Sequence, residues 1–168
     1  MGSNSGVVVP EAPGWRPGVR LCIDWGKARI GVAACDRDGL LAYPVETVPN
    51  NAAALHRLGE LAAQYEPLEI VLGMPTDLRG RQGVAATTML DVAGRIGTAL
   101  GLNVRLVDER LTTASAARSL ALTGHGSRSR RSIIDQAAAV AILEQAIEIE
   151  KRTGRPAGNL NSAGRQGV

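Results

Sequence analysis

The chain has 168 residues, of which 45% are hydrophobic and 2% aromatic, and its formal net charge is +3. This length is typical of one domain with its own hydrophobic core, and the scarcity of aromatic side chains argues against an RRM-type or OB-type binder that stacks bases. No apolar run approaches the ~18 residues of a membrane span, and the first residues lack the basic region of a signal peptide. We therefore expect a cytoplasmic protein that does not contact membranes.

The positive charge is concentrated at the end of the chain. Residues 151–168 hold four basic residues and no acid, so residues 1–150 carry a net charge of −1. Bulk charge therefore says little about the folded part, although the three arginines at 128, 130 and 131 are close enough in sequence to form a local phosphate-binding patch.

Cys22 and Cys35 are the only cysteines. They are too few for a disulfide framework or a four-thiolate zinc site, which is consistent with a reducing cytoplasm. A disulfide across the first predicted hairpin is an alternative, but the pattern favours two small buried thiols.

In chain order, the first predicted elements are three strands. Short apolar runs separated by turn-rich linkers are typical of an antiparallel meander. A segment rich in Gly, Ser and Pro precedes them, and we predict that it is disordered. The extension covers residues 1–17, and the strands are predicted at 19–24, 30–34 and 40–48.

Helices and strands then alternate. Apolar residues at helical spacing precede an apolar strand, and this order recurs before two final helices. The pattern predicts an α/β fold with a mixed five-stranded sheet, in which the later strands run parallel to the first and helices cover both faces. The predicted helices are at 55–65, 84–100, 113–122 and 132–151, the strands at 68–74 and 103–107, the domain at 18–152 and a basic flexible tail at 153–168.

Acidic residues stand where the predicted parallel strands end. Asp24 ends the first strand, Asp108 and Glu109 end the last, and Asp135 lies at the start of the final helix. Ligands of such sheets collect at the carboxyl ends of parallel strands, and carboxylates gathered there repel one another unless a cation neutralises them. Mg²⁺ or Mn²⁺ prefers oxygen ligands, and two such ions can support attack by water on a phosphodiester.

Each acid also has a structural alternative, which the sequence leaves open. Asp24 fits a hairpin turn, Glu109 beside Arg110 fits a surface ion pair, and Asp135 fits the third position of a capping box that starts at Ser132. Strand alternation points only one of two adjacent acids, Asp108 or Glu109, toward a site, and it does not identify which.

Four motifs occur in order along the chain. They read DWGKARIGVA at 24–33, VLGMP at 71–75 with Gly80 after it, DERLTT at 108–113, and DQAAAVAIL at 135–143. Together they resemble the RuvX or YqgF-like family of pre-16S rRNA nucleases, which are also called Holliday-junction-resolvase-like proteins.

This resemblance implies a ribonuclease H-like fold and a metal-dependent nuclease that matures the 5′ end of pre-16S rRNA. It places Asp24, Glu109 and Asp135 as catalytic metal ligands for Mg²⁺ or Mn²⁺, with two ions when substrate is bound. The residues that it assigns to substrate binding are Arg29, Arg110, Gly73 and Gly80. We add Arg79 and Arg81 from the same loop, although the stretch 76–79 departs from the family pattern. For the arginines, ion pairs with nearby acids are the alternative.

Other functions remain open at this point. Cleavage of branched DNA by a two-fold dimer is one, and the oligomeric state, monomer or homodimer, is not readable from the sequence. A phosphate loop like that of actin-like ATPases is a second, although such proteins build their cleft from two domains. A non-catalytic nucleic-acid adaptor is a third.

Overall fold

The computed structural model describes residues 14–74, 84–109 and 128–161. The helix predicted over 113–122 lies outside these residues. The described elements in chain order are β1 (Arg20–Trp25), β2 (Arg29–Cys35), β3 (Ala42–Pro49), α1 (Ala54–Tyr65), β4 (Glu69–Met74), α2 (Val84–Leu100), β5 (Val104–Asp108), α3 (Arg128–Thr153) and β6 (Asn159–Asn161).

These strands form one mixed sheet in the order β3-β2-β1-β4-β5-β6. The first three strands pair antiparallel, and β4 and β5 extend the sheet parallel to β1. The predicted α/β architecture, with an antiparallel meander and parallel strands, is confirmed.

The predicted number of five strands is wrong by one, because β6 pairs antiparallel with β5. The new strand lies within the segment 153–168, which the sequence indicates as a flexible tail. A strand of three residues, two of them Asn, has no apolar alternation for the sequence to reveal. It forms because the edge of β5 offers unpaired backbone groups, and nearby Ala157 is buried at 3% exposure.

Helices cover both faces of the sheet. The sheet separates two hydrophobic cores, and successive residues of β1 point alternately into them. Leu21 and Ile23 face α1 and α2, whereas Cys22 faces α3. Within the part of the chain that the structure describes, no helix is both long and apolar enough to cross a bilayer.

A buried ion network closes the amino ends of the parallel strands. Arg20 is 2% exposed, donates to Glu150 across 3.0 Å, and lies 3.9 Å from Glu69. The ring of Trp15 covers its guanidinium at 3.8 Å. Trp15 belongs to the segment that the sequence indicates as a disordered extension, but here it packs on the domain because an indole ring can cover a buried cation.

Candidate active site

Two buried carboxylates lie at the opposite, carboxyl edge of the parallel strands. Asp24, next to last in β1, is 6% exposed, and Glu109, which directly follows β5, is 5% exposed. Each acid comes two residues after a side chain of the α3-facing core, Cys22 in β1 and Val107 in β5. Because side chains alternate along a strand, both acids point to the α3 face of the sheet.

Gly73 provides the space for one of these acids. It lies on β4, the strand between β1 and β5, and pairs in register with Val107. A methyl group on Gly73 would lie 2.5 Å from Oε1 of Glu109 and 2.7 Å from Cδ1 of Ile142 on α3. Glu109, rather than its neighbour Asp108, is therefore the acid that turns toward this face.

The pKa of the buried Cys22 thiol is affected by both carboxylates. Burial raises its pKa well above the usual range, and the negative charges of Asp24 and Glu109 raise it further. Both carboxylates therefore lie close enough to this thiol to disfavour its charged form. The structure records Cys22 and Cys35 as free buried cysteines, in agreement with the interpretation of the sequence as two thiols.

The third acid reaches this edge through helix packing. Gly31 on β2 is the register partner of Asp24, and a methyl group on it would lie 2.6 Å from the carbonyl carbon of Asp135. The backbone of α3 therefore crosses β2 at the level of Asp24. The Asp135 side chain, 17% exposed, accepts a hydrogen bond of 2.7 Å from Nε of Arg29.

The geometry distinguishes between the alternatives that the sequence leaves open. Asp24 is a strand residue, since the turn after it is closed by a hydrogen bond from Gly26 to the Arg29 carbonyl. Glu109 is too buried for a surface ion pair. Asp135 is not part of a capping box, because α3 begins about two turns before it.

Comparison with known proteins identifies the family. The family model for RuvX, described as Holliday junction resolvase, matches residues 18–149. The chain belongs to the RuvX family. The resemblance carried by the four motifs is thus confirmed, and with it membership of a nuclease family.

Relatives agree with this assignment. A protein of Streptomyces coelicolor is 50% identical over 151 residues, which cover 88% of this chain and 90% of the relative. One from Cutibacterium acnes is 52% identical over 132 residues, which cover 78% and 82%. The names of both give them as candidate pre-16S rRNA nucleases.

Solved structures support the ribonuclease H-like fold. RuvC of Thermus thermophilus has a TM-score of 0.51 at 16% identity, and the match covers 83% of this chain and 98% of that one. The same protein in complex with a Holliday junction substrate has a TM-score of 0.51 at 17% identity, with the same coverage. At this level of identity the likeness concerns the fold alone.

The donor chemistry of this RuvX protein fits a hard divalent cation. Asp24 and Glu109 offer only carboxylate oxygens, which Mg²⁺ and Mn²⁺ prefer. Among the described residues, however, no group of three or more His, Cys, Asp or Glu side chains is close enough to hold a metal ion. The structure thus brings two acids to the same edge and face, and pairs the third, Asp135, with Arg29.

Of the predicted substrate-binding residues, the structure describes Gly73 and Arg29. The other four lie outside the described residues: Arg110, Gly80, Arg79 and Arg81.

Sequence reasoning missed the residues that fix the start of α3 on the sheet. Thr47 of β3 donates to the Ser132 carbonyl at 2.8 Å and accepts from Gln136 at 3.1 Å. Gly31 admits the helix backbone. A glycine inside an otherwise apolar strand is a known signal of close backbone approach, and it was the available clue.

Proposed function

We propose that this RuvX-family protein is a Mg²⁺- or Mn²⁺-dependent nuclease that hydrolyses phosphodiester bonds during 5′-end maturation of pre-16S rRNA in the bacterial cytoplasm. The observation that carries the metal-dependent chemistry is the burial of Asp24 and Glu109 on one face of the carboxyl edge. The names of the relatives from S. coelicolor and C. acnes support the substrate.

Two carboxylates on one face of the sheet edge repel each other, and a divalent cation bound between them would offset this repulsion. Their oxygen atoms are also the ligands that Mg²⁺ and Mn²⁺ prefer. Asp24 and Glu109 would hold the ion, with Asp135 joining when it leaves Arg29. Mg²⁺ retains water and takes substrate phosphate oxygens as its remaining ligands, so it does not need a preformed set of three acids.

The bound metal would activate water and stabilise the departing oxygen, with two ions present when substrate is bound. The protein's own residues would position the nucleic-acid strand. Gly73 leaves room beside Glu109, and Arg29 offers a planar guanidinium that matches a phosphate in a bidentate manner. Arg110, Arg79, Arg81 and Gly80 complete the predicted substrate-binding set.

Cleavage of a Holliday junction is the second candidate function. The description of the matching family model favours it. A junction nuclease acts as a two-fold dimer whose sites face opposite strands, whereas trimming of an RNA end needs only a monomer. The two candidates share the metal chemistry and differ in the substrate.

The test uses purified protein with an extended 16S rRNA precursor and with a four-way DNA junction, each in Mg²⁺, Mn²⁺ or chelator. Asp24→Asn and Glu109→Gln keep the side-chain shape but remove a charge, and we expect each to lower cleavage by at least about a hundredfold. Asp91→Asn is the matched control, because Asp91 is exposed on α2, on the opposite face of the sheet.

Cleavage that needs metal, is lost in both site variants and persists in the Asp91 control supports the proposal. Equal cleavage in chelator would exclude the metal mechanism. Cleavage of the junction without cleavage of the RNA would favour the second candidate, and nucleotide hydrolysis by the same preparation would favour the actin-like alternative.

A further inference from the structure

A pocket adjoins the candidate site at the start of α3. It lies where the β1–β2 turn and the end of β3 meet the helix, and its volume is about 540 Å³. The residues that line it are Ala28, Arg29, Thr47, Pro49, Arg131 and Ser132. This volume falls within the range of small-ligand sites.

The lining of this pocket is suited to an anion. The described residues that line it contribute two guanidinium groups, those of Arg29 and Arg131, and no carboxylate. Arg131 is exposed and makes no ion pair with any residue in the described parts of the chain. Guanidinium groups bind phosphate through paired N–H donors, and hydroxyl side chains such as Thr47 and Ser132 add neutral polar atoms.

Arg29 lines this pocket and also pairs with Asp135 of the candidate site. It pairs with Asp135 through Nε alone, at 2.7 Å, and its side chain is 37% exposed. No hydrogen bond joins its two terminal nitrogens to any part of the chain that the structure describes. A guanidinium on Oδ2 of Asp135 also competes with a divalent ion for the same oxygen.

We propose that this Arg29–Arg131 pocket binds a backbone phosphate of the nucleic-acid substrate, and that Arg29 then exchanges Asp135 for that phosphate. The exchange frees Oδ2 of Asp135 for a divalent ion, so substrate and metal bind cooperatively. This inference rests on the proposed nuclease function and adds a phosphate site and a coupling between its two ligands. Linkage requires that each ligand raise the affinity for the other by the same factor.

The first test measures binding of a fluorescein-labelled single-stranded RNA in chelator, where the metal-dependent reaction cannot proceed. Arg131→Ala should reduce the slope of log Kd against log salt by about 0.7, the value for one lost phosphate contact on a single strand. Arg95→Ala removes the same charge from the exposed face of α2 and is the control. Equal slopes of log Kd against log salt for the two variants would overturn the proposal that this pocket binds a phosphate.

The second test measures Mn²⁺ binding without nucleic acid, by the electron paramagnetic resonance signal of free Mn²⁺. Arg29→Gln removes the competing charge and should raise the affinity for Mn²⁺ about fivefold or more. In an Asp135→Asn background the same substitution should have no effect, because the contested oxygen is then uncharged. An affinity for Mn²⁺ that is unchanged or lower in Arg29→Gln would overturn the exchange.

Circular dichroism establishes that each variant is folded, and Arg29→Lys is a second variant that retains the charge without the bidentate geometry. Failure of the proposed function is distinguishable from failure of this inference. A protein that binds RNA through Arg131 but cleaves nothing in any metal overturns the nuclease and supports the pocket. If the protein cleaves in a metal-dependent manner but its Arg131→Ala and Arg95→Ala variants show equal salt dependence of RNA binding, the nuclease is supported and the pocket is overturned.

Discussion

Substitution of Gly31 by alanine tests how α3 is held against the sheet. Gly31 lies on β2 in register with Asp24, and the backbone of α3 crosses directly above it. A methyl group here would lie 2.6 Å from the carbonyl carbon of Asp135 and 3.3 Å from the backbone nitrogen of Gln136. The obstacle is helix backbone, which has no rotamer by which to move aside.

The geometry gives the size of the effect. Carbon atoms in contact prefer separations of about 3.5–4.0 Å, so the helix has to retreat by about 1 Å at this point. Overpacking of a core costs about 1–3 kcal/mol, and we expect Gly31→Ala to reach the upper part of that range because the neighbouring atoms are backbone. If the proposed function holds, cleavage also falls about a hundredfold, since a displacement of about 1 Å moves Asp135.

Urea denaturation measures the change in the free energy of unfolding, and the RNA cleavage assay measures the second effect. Gly59→Ala is the matched control: Gly59 lies inside α1, and nothing within 4 Å would meet its methyl group. It should stabilise the protein by about 0.5–1 kcal/mol through helix propensity. A Gly31→Ala variant as stable as the parent would refute the close approach of α3 to β2.

Three further perturbations have defined outcomes. Gly73→Ala would place a methyl group 2.5 Å from the Glu109 carboxylate, so cleavage should fall by about tenfold or more, as measured on the RNA precursor. Glu150→Gln removes the charge that Arg20 faces at 3.0 Å, both side chains being at most 5% exposed, and should lower the free energy of unfolding in urea by about 3 kcal/mol. Because burial raises the pKa of the Cys22 thiol above its ordinary value of 9.0, the folded state keeps a proton that the unfolded chain releases, so stability should fall as pH rises above that value. Cys22→Ala should flatten this fall by up to about 1.4 kcal/mol per pH unit, as measured by urea midpoints between about pH 8 and 10.

The exposed ion pair between Glu60 and Arg57 provides the control for the buried pair. Glu60→Gln breaks a pair with Arg57 in which the Glu60 side chain is 51% exposed, and its cost should stay below about 1 kcal/mol. Equal losses for Glu150→Gln and Glu60→Gln would show that burial does not govern these ion pairs. Identical pH profiles for the parent and Cys22→Ala would show that this thiol titrates normally, and full cleavage by Gly73→Ala would place Glu109 outside the reaction.

The sequence predicted the sheet well, because strand ends and period-two alternation are local signals. Asp24 and Glu109 could be placed on the carboxyl edge from the apolar runs that precede them. The choice between Asp108 and Glu109 could not be made from alternation, since it depends on which face α3 covers. That face is identified by the position of the Glu109 carboxylate, which a methyl group on Gly73 of the neighbouring strand would meet.

Long-range pairs and short edge strands were not predictable. Arg29 and Asp135 are 106 positions apart, and either residue alone fits an exposed helix or turn. The β6 strand has no periodicity, and Trp15 stands in a segment whose composition is typical of disorder. In each case the structure is stabilised by a partner that only the folded chain supplies.

The position of Asp135 depends on both ends of α3. Near its start, Gly31 and Thr47 fix the distance and rotation of the helix on the sheet, and toward its end Glu150 is held by the buried Arg20. Asp135 and Glu150 are about 22 Å apart along the helix axis, so the ion network lies far from the candidate site yet is joined to it by one continuous helix. Loss of the Glu150 charge should therefore weaken the packing of α3 on the sheet, and Glu150→Gln should change the Mn²⁺ affinity more than Glu60→Gln, since the Glu60 side chain on α1 is 51% exposed. A helix that frays at Glu150 without any change in Mn²⁺ affinity would mean that the contacts near Gly31 position Asp135 on their own.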